Sequence, residues 1–115
     1  RRDTREKQIV AIEKLPETIK ELLDAIHTDM LERARAHRDA HTYEARELAE
    51  FKRIADEKPG FIKAMWCGCQ ECEAALKEEA GVTSRCMPFA QEHISDTCIY
   101  CGKPAKHLVY WGKAY

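Results

Sequence analysis

An α+β fold is expected, a small mixed sheet packed with two to three helices, and three observations predict it. Stretches with apolar residues at three- and four-residue steps are interspersed with short runs of β-branched and aromatic residues, so helices and strands alternate along the chain. Composition is that of a folded domain: 115 residues, 44% hydrophobic and 34% charged, a size that buries roughly 65% of its unfolded surface. All six cysteines fall between residues 67 and 101, which concentrates any cross-linking chemistry in the C-terminal half.

The start, Arg1-Arg2-Asp3-Thr4-Arg5-Glu6-Lys7, has no initiator methionine and runs directly into the β-prone Gln8-Ile9-Val10-Ala11-Ile12. It reads as a piece of a longer protein, with residues 1–14 as the exit of a preceding domain plus a first strand and residues 15–115 as an α+β domain. Pro16 suits the first turn of a helix. Leu15, Ile19, Leu22, Leu23, Ile26 and Met30 then form one apolar stripe, predicting a helix over about 15–38 that packs by that face.

A second helix is predicted from Tyr43 to Ala55, with Thr42 as N-cap, Leu48, Phe51 and Ala55 facing inward, and Pro59-Gly60 ending it. Phe61-Ile62-Lys63-Ala64-Met65-Trp66 reads as a buried strand that delivers Cys67. Gln70 to Ala80 is a short Glu/Lys/Ala-rich helix stopped by Gly81. Two strands follow, Arg85 to Phe89, where Pro88 argues for an edge or a strand end, and Lys106 to Trp111. There is no internal repeat or low-complexity segment.

Charge and hydropathy narrow the function classes. Lys+Arg 19 against Asp+Glu 20 gives a net charge of −1, without the basic excess of a free-standing nucleic-acid binder. No apolar run reaches the roughly 18 residues of a membrane span and no apolar leader opens the chain. A cytoplasmic protein that does not enter a membrane is expected.

The cysteines carry the chemistry. Cys98-Ile99-Tyr100-Cys101-Gly102 is a C-x2-C-G knuckle, in which a tight turn aims two sulfurs at one point and the glycine lets the backbone fold beneath a metal. Cys67-Gly68-Cys69-Gln70-Glu71-Cys72, about 26 residues upstream, supplies a second pair. A secreted disulfide framework fits poorly, because it leaves the first 66 residues unstapled. Four thiolates around Zn2+ leave no position open for water, so such a metal is structural, and its binding contributes on the order of 10–16 kcal/mol to folding. On spacing alone Cys69-x2-Cys72 is the commoner upstream pair, and Cys67 competes with Cys69 for the remaining position.

Other features have simpler readings. His37 and His41 stand four apart but lack the glutamate of a zinc protease motif, and read as solvated histidines near a helix end. Arg33, Arg35 and Arg38 suit a helix C-terminus, with contact to an RNA phosphate as the sharper alternative. Trp66, Tyr110 and Trp111 read as core and not as base-stacking platforms. Cys86 reads as a small buried hydrophobe, and Lys103, Lys106 and Lys113 as a solvated rim.

RRDT-x-EK at the start, WCG-x3-C, RCMPF, CIYCGKPA and the terminal YWGKAY occur together and in this order. With these motifs the chain resembles the C-terminal end of prolyl-tRNA synthetases of the archaeal/eukaryotic-like type, over essentially all 115 residues. The resemblance implies a class II synthetase with a catalytic domain, an anticodon-binding domain that residues 1–7 would leave, and an appended zinc-holding α+β domain. Such a parent joins proline to tRNA(Pro) with ATP and Mg2+, in a catalytic domain absent from this chain, and works as a homodimer. The family pattern implies Cys67, Cys72, Cys98 and Cys101 as the zinc ligands, with Cys69 a spare thiol. It also implies that Tyr115, the terminal residue, reaches toward the catalytic domain and supports the active site without doing chemistry, with Gly112 permitting the turn. A free-standing zinc-ribbon adaptor for RNA or protein is the alternative from another class.

Overall fold

A computed structural model describes residues 1–113 of the chain. These divide into two compact units, Arg1–Asp39 and the segment from Ala40 onward, considered separately below.

The first unit is a short lead-in followed by one long helix. Lys14 donates its backbone N–H to the Ala11 carbonyl (3.0 Å), closing a 3-10 turn at Ile12–Lys14. That turn runs into α1, Leu15–Ala40, with Pro16 in the first turn as predicted. The β-prone segment 8–11 joins no strand. An ionic cluster fixes the lead-in: the Arg1 guanidinium binds Asp3 (2.8 Å) and Asp29 of α1, and Arg33 of α1 also reaches Asp3 (3.3 Å). Hydrogen bonding from Arg1 holds the Asp3 carboxyl well below the usual carboxylate range. No residue of α1 is buried. The predicted apolar stripe is present, with Leu22 and Ile26 half-buried and Leu15, Ile19, Leu23 and Met30 exposed.

The second unit holds the core. Its elements are β1 (Thr42–Glu44), α2 (Leu48–Glu57), β2 (Phe61–Trp66), α3 (Gln70–Ala80), β3 (Val82–Cys86) and β4 (His107–Lys113). The strands form one mixed sheet in the order β1-β2-β4-β3, parallel between β1 and β2 and antiparallel elsewhere. This is the α+β class expected, three helices with a four-stranded sheet.

Each element follows from local chemistry completed by distant partners. Tyr43 was expected inside a helix capped by Thr42, yet Thr42 to Glu44 pair in register with Phe61 to Lys63 and form a strand. The helix therefore starts five residues later, behind Glu47 in extended conformation. From Leu48 on, the inward face is as predicted, with Phe51, Ile54 and Ala55 buried and Leu48 packed against them. Gly81 stops α3 in the left-handed conformation (φ 65°), which only glycine adopts at little cost, and its N–H reaches the Lys77 carbonyl at 3.0 Å.

Trp111 is fully buried at the centre of the core. Phe51 and Trp66 both meet it edge to face, with ring centroids 6.2 and 6.4 Å away. Ile62, Ala64 and Val109 complete this face of the sheet, with Leu76 and Ala80 of α3 in the same core. Trp66 and Tyr110 are half-buried. Met65 and Leu108, directly paired between β2 and β4, are also buried.

Four readings need correction. The strand expected at Arg85–Phe89 begins earlier and ends at Cys86, with a register shift between Ser84 and Cys86, so Pro88 lies beyond it. Cys86 is exposed, because β3 is the edge of the sheet and its last residues leave the core. Gly112 makes no turn; it is a β4 residue paired with Thr83, and its carbonyl accepts a hydrogen bond from Arg85. Lys113 is not merely solvated, since its Nζ meets Asp56 at 2.8 Å. Beyond β3, the side chain of Gln91 accepts the Leu108 N–H (2.7 Å) and donates to the Pro88 carbonyl (2.6 Å), giving a strand hydrogen bond a side-chain partner.

Candidate metal centre

The centre lies where β2, α3 and the loop before β4 meet. β2 ends at Trp66 and hands the chain to Cys67. The Trp66 indole N–H then donates to the Cys69 carbonyl (3.0 Å), fixing the tight passage into α3. Cys69 becomes the extended residue just before α3, and Cys72 falls in the first turn of the helix, buried. A helix start also brings unpaired N–H groups and a partial positive charge toward this turn, an environment that favours thiolate.

The second pair sits on a short closed loop. Ala105 donates to Asp96 (2.8 Å), Thr97 bridges Pro104, Cys98 donates to Lys103 (2.7 Å) and Gly102 donates to Cys98 (3.1 Å). Gly102 takes φ 70° at the bend, with nothing within 4 Å of where a side chain would stand, so the backbone conformation and not crowding calls for glycine. Two backbone bonds hold the loop beside the strand end: Ile99 to Met65 (2.9 Å) and Lys106 to Trp66 (2.8 Å).

These elements bring together the sulfurs of Cys67, Cys72, Cys98 and Cys101, all within 4.8 Å of one another. Cys67 is 3.7 Å from Cys72 and 3.8 Å from Cys101. Zinc–thiolate bonds of about 2.3 Å in a tetrahedron give sulfur–sulfur edges of roughly 3.8 Å. The same distances are far longer than a disulfide bond of about 2.05 Å. The donor set fits a tetrahedral thiophilic ion.

The surroundings shift the thiols in opposite directions. Burial pushes the Cys72 and Cys67 thiols up, since four sulfurs in a partly desolvated site resist becoming four anions. Cys101 is exposed, and the backbone hydrogen bond from Lys103 brings its thiol down to about 7. A dication at the centre reverses the cost for the buried members, because its charge stabilises each thiolate.

Cys69 lies outside this group; its thiol donates instead to the Glu71 carboxylate (2.5 Å), which lowers the pKa of Glu71. His37 and His41 are not in the group either. Arg33 is engaged with Asp3. Ala114 and Tyr115 lie outside the described residues, and the reading of Tyr115 falls there. A connection not foreseen from sequence runs from Tyr100, inside the knuckle, through Glu79 of α3 (2.8 Å) to Lys52 of α2 (2.5 Å). A tyrosine set between two paired cysteines was the available signal.

Among the described residues no helix is long and apolar enough to cross a membrane. Residues 48–115 match the family model for the C-terminal region of prolyl-tRNA synthetase. Over 115 residues the chain is 69% identical to a proline-tRNA ligase of Clostridium novyi (strain NT) and 63% identical to one of Lachnoclostridium phytofermentans. It is 57% identical to proline-tRNA ligase 2 of Bacillus cereus (strain ATCC 10987 / NRS 248). Each match covers 100% of this chain and 24% of the relative, so the chain spans about a quarter of the length of these relatives.

Proposed function

This chain belongs to the prolyl-tRNA synthetase C-terminal family, and on that premise we propose that its four cysteines hold a structural zinc that clasps the end of β2 to the segment entering β4. Convergence of the Cys67, Cys72, Cys98 and Cys101 sulfurs within 4.8 Å of one another, with Cys67 at tetrahedral edge length from Cys72 and Cys101, is the observation that carries this reading. Zinc supplies charge and four directional bonds here, and no chemistry on a substrate. Cys67 and Cys72 anchor it from the β2–α3 junction, Cys98 and Cys101 from the knuckle.

The parent polypeptide attaches proline to tRNA(Pro) using ATP and Mg2+, in a catalytic domain that is not in these 115 residues. Its identity to relatives named proline-tRNA ligases along the whole chain supports this. Residues 1–14 leave the anticodon-binding domain, and the parent is a cytoplasmic homodimer. The domain braces the synthetase: β4 runs from the clasp to Lys113, and the terminal Tyr115 reaches toward the catalytic domain, where its carboxylate helps organise the active site.

The test is tRNA charging by the full-length parent with and without residues 68–115, and with Tyr115 alone deleted. Reduced charging in both supports the reading. Unchanged charging after loss of residues 68–115 overturns the bracing role, and unchanged proline activation and charging after loss of Tyr115 overturns the terminal contact.

A further inference from the structure

Much of the apolar surface of the first unit is open, with Leu22 and Ile26 only half-buried. α1 is 26 residues long with no buried residue, and its stripe stands open at Leu15, Ile19, Leu23 (61% exposed) and Met30 (56% exposed). Ile9, in the segment before it, is fully exposed. A lone helix with an amphipathic face is marginal in water, because most helical stability comes from packing that face. A patch of this extent marks a surface that something covers.

We propose that α1 packs back on the domain immediately upstream of Arg1 in the same polypeptide, through its Leu15–Met30 stripe. The inference rests on the reading of the chain as the C-terminal part of a longer synthetase. Three observations select this occupant. About three quarters of the relatives' length lies outside this chain, while the matched C-terminal family region begins only at Leu48, beyond α1. The compact units part between Asp39 and Ala40, grouping α1 with the lead-in. The lead-in is tied down on the middle of α1, Arg1 to Asp29 and Asp3 to Arg33, so the polypeptide arriving at Arg1 does so alongside the stripe-bearing helix.

The large apolar residues of α1 end at Leu31. Past Leu31 the helix continues as Glu32-Arg33-Ala34-Arg35-Ala36-His37-Arg38-Asp39, without a large apolar residue. The first half of α1 is the packed half, and the second half is a polar spacer leading to the metal-holding unit.

Hydrogen exchange on the full-length parent reads this directly. Amides of Ile19 to Met30 should exchange at least tenfold more slowly than those of the polar half of α1. Ile19→Glu with Leu23→Glu should remove that protection, and with it protection in a segment upstream of Arg1, while residues 40–113 keep theirs. A photo-crosslinker at Leu23 in the otherwise unaltered parent gives a second readout that needs no destabilised variant: adducts should map upstream of Arg1. A mixture of isotopically light and heavy copies separates adducts within a chain from adducts between chains. Fast exchange along the stripe, adducts to residues 40–113, adducts to a second copy, or no adduct at all would each overturn the proposal. Charging of tRNA with proline by the unaltered parent is scored separately: its failure sinks the functional reading and leaves the helix packing to be judged by exchange and adducts.

Discussion

The Tyr100 hydroxyl donates to the Glu79 carboxylate at 2.8 Å, joining the loop between Cys98 and Cys101 to the helix that carries Cys72. Glu79 also receives Lys52 of α2, so the two halves of the cysteine cluster are tied together by a polar route independent of any metal. The hydrogen bonds from Lys52 and Tyr100 lower the Glu79 pKa, and the same contact raises that of Tyr100. Because the folded Glu79 pKa is depressed, its stabilisation is present above the unfolded carboxyl value and is lost as pH falls through the folded one. Glu79→Gln should therefore lower the urea midpoint of the zinc-loaded chain slightly at about pH 7, and the difference from wild type should shrink as pH is lowered toward the carboxyl range. Both side chains are more than a third exposed, so the neutral-pH effect is small and shrinks with added salt.

Metal removal should cost far more than any of these contacts. Chelation is expected to abolish cooperative unfolding of residues 40–113, because the Cys98–Cys101 loop places Ile99 in the core and loosening that loop opens the core with it. Circular dichroism and calorimetry before and after chelation, with zinc added back, check this; an unaltered transition would contradict it.

Acid should release the metal. Since burial raises the Cys67 and Cys72 thiols in the metal-free site, binding must expel protons from both, and affinity rises with pH. Competition titrations at several pH values should show weaker binding at lower pH, with proton release visible in weakly buffered solution.

Removing the side chain that completes the β4 ladder should be felt. Gln91→Ala leaves the Leu108 N–H without its partner, and a loss of about 1 kcal/mol is expected from an unmade hydrogen bond at a site that water partly reaches. Trp111→Ala, by contrast, empties the centre of the core and should cost about 3–5 kcal/mol. Denaturant melts of the zinc-loaded chain compare the two.

What the sequence disclosed depended on how local each determinant is. Phe61–Trp66 and Gln70–Ala80 were legible because an apolar run, a helix-forming run and Gly81 carry their signals within a few residues. Tyr43 was misread because its strand exists only through pairing with Ile62, about twenty residues away. Cys86 was misplaced for a related reason: an apolar-looking RCMPF run does not reveal that it lies on the sheet edge and leaves it. The α1 stripe was visible as a period, but a period does not name what packs on it. Spacing alone favours Cys69 with Cys72 while the family pattern implies Cys67; in the structure the Cys67 sulfur joins the group of four and the Cys69 thiol turns to Glu71, with the Trp66 indole holding the Cys69 carbonyl.

The central claim is that Cys67, Cys72, Cys98 and Cys101 hold one structural zinc, and metal content of purified single-cysteine variants tests it most directly. The account predicts close to one zinc per wild-type chain, retention in Cys69→Ser, and loss in Cys67→Ser. Retention in Cys67→Ser with loss in Cys69→Ser would contradict it.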